Sequence, residues 1–272
     1  MEDIGLVPRP QLLAVADLLE EAVGDFLNHR AQIRPDAQWE APLEGWAISN
    51  LMVRNIQATI LLARHDEVLA PAAWANTRNV LDAATRILWL LVPEDRFEAE
   101  TRWVALLKEY ERFHRRVAAI LEEGGGPTAR THLESAEAVR GFHTAVSAKL
   151  PDGYSVPGIP PTDRVLREIG IGGMYQRYIE GSQYMHAGMH ATSMYIDRDE
   201  SGRMPTEAVT ILDWMLPLQI CWICLNNAGR FVINRLSPSA KWETARLGER
   251  IDAAFRALAE SGFSGPDREP QD

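Results

Sequence analysis

The chain has 272 residues, 46% of them hydrophobic and 24% charged. That is ample apolar content for a buried core and excludes an intrinsically disordered chain. A formal net charge of −10 disfavours non-specific binding to a nucleic-acid backbone, although a local basic patch would still be compatible with RNA.

The two cysteines, Cys221 and Cys224, lie inside an apolar run between Trp222 and Leu225, where buried thiols are expected rather than a redox pair. So few cysteines fit a reducing cytoplasm. The opening MEDIGLVPRP carries early acids and no apolar leader segment, and the most hydrophobic window, residues 211–225, is too short for a bilayer and contains Asp213 and Gln219. The expected protein is cytoplasmic, with no membrane partner.

In chain order, residues 11–33 carry apolar side chains at helical spacing (Leu12, Val15, Leu19, Val23, Phe26). Residues 34–44 contain Pro35 and Pro42 and predict a connector, followed by a second helix over 45–64. A third helix opens at Pro71 and stops before Pro93. Its second half is apolar on nearly every side, which predicts central burial. Arg78, Asp82 and Arg86 run along it at i, i+4 and i+8. The ladder is either a rim of ion pairs or an arginine pair facing a cleft, ready for an anionic ligand.

Residues 93–123 predict one long amphipathic helix halted by Gly124, Gly125, Gly126 and Pro127. Its basic cluster, Arg112, His114, Arg115 and Arg116, is expected to be a solvated face near the helix C-terminus. Another helix covers 131–150, and the Pro- and Gly-rich segment 151–161 reads as a linker or a loop over a pocket. A short helix at 162–168 leads into residues 175–195, expected to be a single helix. Residues 197–205 predict a turn, and 206–236 a long apolar helix kinked at Pro217, where Asn226, Asn227, Arg230 and Asn234 bring polar groups to the core or a cleft. A final amphipathic helix runs to Ser261 and leaves a disordered tail. No segment alternates long enough for a sheet. The expected fold is an all-α, single-domain bundle of eight or nine helices over residues 1–262, with a tail at 263–272.

The stretch 175–195 carries the chemistry. Tyr178, Ser182, His186 and His190 recur every fourth residue, so on one helix the last three would lie within about 80° of one another. His186 would then act as general base or acid beside Ser182 or Tyr178, since an unperturbed imidazole titrates near neutrality. Alternatively, His186 and His190 converge on one metal. The residues between them, Ala187, Gly188 and Met189, lack the acid of the zinc motif, so a carboxylate would have to come from elsewhere, as from the Glu111–His114 pair with its ExxH spacing. The remaining alternatives are ligand binding without turnover and a polar seam between packed helices. Gly181 and Gly188 flank the stripe and allow close backbone approach. Dinucleotide, phosphate-loop and nucleophile-elbow motifs are absent from the sequence.

The Arg78–Asp82 segment in an apolar helix, followed downstream by Tyr178–Ser182–His186, resembles a family of uncharacterised all-helical bacterial proteins known only as a domain of unknown function. The resemblance covers roughly residues 45–236 and implies a helical fold with a shared polar centre. More distantly the chain is similar to the HEPN helical ribonucleases, although the spaced Arg…His motif of that group has no counterpart here.

The functional expectation is a hydrolase- or transferase-type centre for a small anionic substrate, phosphate-containing substrates included. His186 moves the proton, with Ser182, Tyr178 and His190 beside it. Arg78 and Arg86 neutralise charge, and Asp82 orients an arginine. This expectation includes no metal and names no cofactor. Its rivals are a metal-dependent enzyme using His186 and His190, and a non-catalytic binding or interaction module. Apolar stretches around Trp89 and Trp222 exceed what a lone small bundle needs and raise the expectation of a homodimer.

Overall fold

Each long segment with apolar residues at helical spacing forms a helix. The computed structural model describes residues 7–33, 39–123, 128–199, 202–205, 209–237 and 240–263. The described residues form ten α-helices: α1 (Pro10–Ala31), α2 (Glu40–His65), α3 (Ala70–Leu91), α4 (Arg96–Glu123), α5 (Ala129–Ser147), α6 (Thr162–Glu168), α7 (Met174–Met185), α8 (Met189–Thr192), α9 (Met215–Leu236) and α10 (Ala245–Phe263). Four-residue strands β1 (Ile196–Asp199) and β2 (Gly202–Pro205) pair antiparallel where a turn was expected. The fold is all-α. The expected tail lies outside the described residues, apart from Phe263 at the end of α10.

Helix α3 is the axis of the bundle and packs on α2, α7 and α9. Val80, Leu81, Ala84, Ile87, Leu88, Leu90 and Leu91 are buried around its circumference, as its nearly uniform apolarity predicts. Each fully buried branched side chain of this kind contributes about 1.5–3 kcal/mol. The buried hydroxyls of Thr77 and Thr85 are satisfied within the helix, donating to the carbonyls of Ala73 and Leu81 at 2.7 Å each.

The start of α2 and the end of α3 are each closed by a side chain from another helix. Glu100 on α4 accepts the Ala41 N–H at 2.9 Å and the Glu40 N–H at 3.3 Å, supplying the cap that Trp39 at the start of α2 cannot. Arg235 on α9 donates to the carbonyls of Leu91 at 2.8 Å, Val92 at 3.3 Å and Pro93, covering the C-terminus of α3 with positive charge. Pro42 therefore sits in the first turn of α2 rather than in a connector.

Helix α9 begins at Met215, after a 3-10 turn at Ile211–Trp214, and not at residue 206. Pro217 falls in its first turn, where the missing N–H has no helical partner to lose, so the expected mid-helix kink does not arise. Trp89 and Trp222, whose apolar neighbourhoods motivated the homodimer expectation, are covered within the chain itself. Helices α4 and α5 form an antiparallel pair, set by the Trp103–Phe142 and His114–His132 contacts.

Candidate functional site

The α3–α7 crossing brings four of the seven predicted residues together. Arg78 Nε donates to Ser182 Oγ at 3.0 Å, and Arg78 Nη1 pairs with Asp82 one turn along its own helix. The guanidinium carbon lies 3.4 Å from the centroid of the Tyr178 ring, a cation–π contact. Gly181 permits this approach: a methyl there would sit 3.1 Å from Arg78 Cβ. One turn earlier on α3, Trp74 stacks on Tyr184 with centroids 5.2 Å apart. Burial pushes the Tyr184 phenol up to about 12, and its hydroxyl donates to Met194 Sδ.

Neither imidazole bonds to Arg78, Asp82, Tyr178 or Ser182; the His190 ring meets the Tyr184 ring, edge-on with centroids 6.1 Å apart. Helix α7 ends at Met185, with His186 as its C-terminal cap. Ala187 takes φ 49°, and the Gly188 N–H returns to the Gln183 carbonyl at 2.7 Å, the six-to-one bond of a Schellman motif. Helix α8 then restarts at Met189. His186 and His190 lie on opposite sides of this break, and both are exposed. The one-face geometry expected of them required an unbroken helix, and the left-handed residue at 187 removes it. Gly188 is the N-cap of α8, and a Cβ there would overlap the Gln183 side chain.

The metal expectation loses its geometry for the same reason. Glu111, offered as a carboxylate ligand, is held by Arg115 at 2.9 Å. His114, expected on a solvated face, is buried, with its Nδ1 2.9 Å from Nδ1 of His132. No group of three or more His, Cys, Asp or Glu among the described residues is placed to hold a metal ion.

Arg86, the last rung of the ladder, turns away from α7 toward α4. Glu109 receives it through two bonds, 2.6 and 2.8 Å. This bidentate pair stands in the wall of a cleft of about 860 Å³ between α2, α3 and α4. Ile48, Leu51, Trp103, Leu106, Tyr110 and Phe113 supply its apolar lining, and Glu44, Asn55, Asn79 and Asp82 its further polar groups. A smaller hollow of about 220 Å³ shares Asp82, Arg86 and Leu106 and adds Tyr178. Ile159 and Pro160 of the Pro- and Gly-rich segment close its other side, so that segment does lie over a pocket.

Electrostatics distinguish the acids of the cleft. The Arg86 guanidinium holds the Glu109 carboxyl below its usual range, and Glu109 in turn raises Arg86. Glu44 goes the other way. Burial pushes its carboxyl up, Glu40 adds to the rise, and Arg86 and a Trp103 hydrogen bond offset part of it. No ion pair forms at Glu44 among the described residues. Glu44 and Glu109 were not among the predicted site residues. On a single helix each is one acid among several, and only the meeting of three helices sets them apart.

Comparison with family models, with curated proteins and with solved structures returned no match. These comparisons bear on neither resemblance. No helix among the described residues is long and apolar enough to cross a membrane.

Proposed function

We propose that the protein is a binding module for an amphipathic small molecule whose apolar body occupies the α2–α3–α4 cleft and whose cationic or hydrogen-bond-donating head meets Glu44. The observation that carries this reading is the position of Glu44: a half-buried carboxylate at the edge of an apolar lining, with no ion-pair partner among the described residues and with Arg86 committed to Glu109. Partial burial of a carboxylate costs free energy that Arg86 and the Trp103 hydrogen bond offset only in part, and a cationic ligand head would offset more of it. Three carboxylates (Glu44, Asp82, Glu109) face two guanidiniums (Arg78, Arg86), leaving a local balance of −1.

Binding is favoured over turnover by the state of the hydroxyl. Ser182 Oγ donates to the Tyr178 carbonyl at 2.8 Å and accepts from Arg78, while His186 lies exposed beyond the end of α7. The expected anionic substrate needs free guanidiniums, and Arg78 and Arg86 are each engaged by a carboxylate.

Calorimetric titration with phenylbutylamine, phenylbutyrate and phenylbutanol tests the proposal. The amine is expected to bind, and Glu44→Gln to weaken it about tenfold, since a charge-assisted contact becomes a neutral one. Preferential binding of phenylbutyrate would overturn this reading in favour of an anion site on the arginine ladder.

A further inference from the structure

A second pocket, sharing no lining residue with the cleft, lies where the N-terminus of α2 meets the C-terminus of α3 and the end of α9. It encloses about 200 Å³, over a floor that includes Leu91, Pro93 and Leu236. Three features of its wall are left without their usual partners. The Trp39 Nε1–H is shielded from solvent and has no acceptor among the described residues. An indole N–H can only donate, so this group requires an acceptor. Arg96 forms no ion pair among the described residues, and its guanidinium lies 5.8 Å from the centroid of the Trp39 ring. Its i+4 neighbour Glu100, the obvious counter-ion, is instead turned to the α2 backbone. Arg235 spends its donors on the backbone carbonyls at the end of α3, so its charge too meets no side-chain anion.

The formal charge on the wall is +2 from Arg96 and Arg235 and −1 from Glu100, a balance of +1. Burial raises the Glu100 carboxyl, and its bonds from the Ala41 and Glu40 N–H groups offset part of that rise. Asn234 adds an amide at the rim.

We propose that this pocket binds a small monoanionic carboxylate with an apolar body. The carboxylate would accept from Trp39 Nε1–H and Asn234 and face Arg96, and its hydrocarbon part would lie against Leu91, Pro93 and Leu236. The charge balance selects a monoanion. The apolar floor selects an organic acid over a bare inorganic ion.

The test is a ¹⁵N-correlated NMR titration of the full chain with benzoate, using benzamide and benzylamine as neutral and cationic counterparts. Trp39→Phe assigns the Trp39 indole resonance by its disappearance. Benzoate is expected to shift that resonance saturably, benzamide weakly and benzylamine not at all. Arg96→Gln, at an exposed position outside the core, is expected to reduce benzoate affinity about fivefold to tenfold while the rest of the spectrum stays that of the folded chain. If Trp39→Phe does not fold, the Arg96→Gln comparison carries the test by itself. An indole resonance indifferent to benzoate, an equal response to benzylamine, or undiminished affinity in Arg96→Gln would each overturn the proposal. None of these outcomes bears on the Glu44 cleft, which lies on other residues.

Discussion

The Arg78 guanidinium lies 3.4 Å from the centre of the Tyr178 ring, one hundred residues away in sequence, and fastens α7 to the central helix. The same side chain bonds Ser182 and Asp82, so one residue holds three partners on two helices.

Arg78→Met should therefore destabilise the fold more than an ordinary surface change. Asp82 is 41% exposed while Arg78 is 11% exposed, so water screens the ion pair and most of the loss comes from the Ser182 bond and the ring contact. We expect a loss of about 2–3 kcal/mol in urea denaturation, and about 1 kcal/mol for Ser182→Ala. A change below about 0.5 kcal/mol for Arg78→Met would mean that α7 is anchored elsewhere.

Ala187 occupies a backbone conformation that suits glycine, at φ 49°. Ala187→Gly should stabilise the protein by about 0.5–1 kcal/mol, relief of the left-handed strain outweighing the extra freedom gained by the unfolded chain. A lower urea midpoint in this variant would argue for a continuous helix through His186.

Glu44 and Glu109 should give opposite signatures in stability against pH. The folded-state pKa of Glu44 is raised, so between its unfolded and folded values the native state binds more protons, and stability falls as pH rises through that window. Glu109 is depressed by Arg86, so its contribution is present above the unfolded pKa and is lost as pH falls through the folded one. Glu44→Gln should leave stability equal or higher at neutral pH and flatten the decline just above the usual carboxylate range. Glu109→Gln should lower stability at neutral pH. Denaturation of both variants across acid to neutral pH checks the signs, and a neutral-pH loss in Glu44→Gln would contradict the assignment of Glu44 as unpaired.

Cys221 and Cys224 are fully enclosed on α9, and burial pushes the Cys221 thiol up to about 12 and Cys224 higher still. Neither should react with a thiol-specific disulfide reagent in the native state. Labelling should instead proceed at the rate of opening, in urea as in buffer. Rapid labelling in buffer would show that α9 leaves the core readily.

The sequence alone determined the helices, because apolar periodicity is a local property carried by a few turns of chain. Residues 162–168 were read to the residue, and the all-round apolarity of α3 correctly implied its central place. The sequence also singles out Arg78, Asp82, Tyr178 and Ser182, because polar side chains at four-residue spacing in apolar surroundings are visible within one helix; that the two helices cross there is a property of the tertiary structure. Tertiary structure decided the rest. The break after Met185 depends on one alanine adopting a left-handed backbone, which no periodicity reveals, and it separated the histidines that the four-residue spacing had aligned. Arg86 left the ladder for Glu109, and Glu44 and Trp39 gained their character from burial between helices distant in sequence. Desolvation and ion pairing depend on what surrounds a group in three dimensions, and one helix read by itself supplies only half of those surroundings.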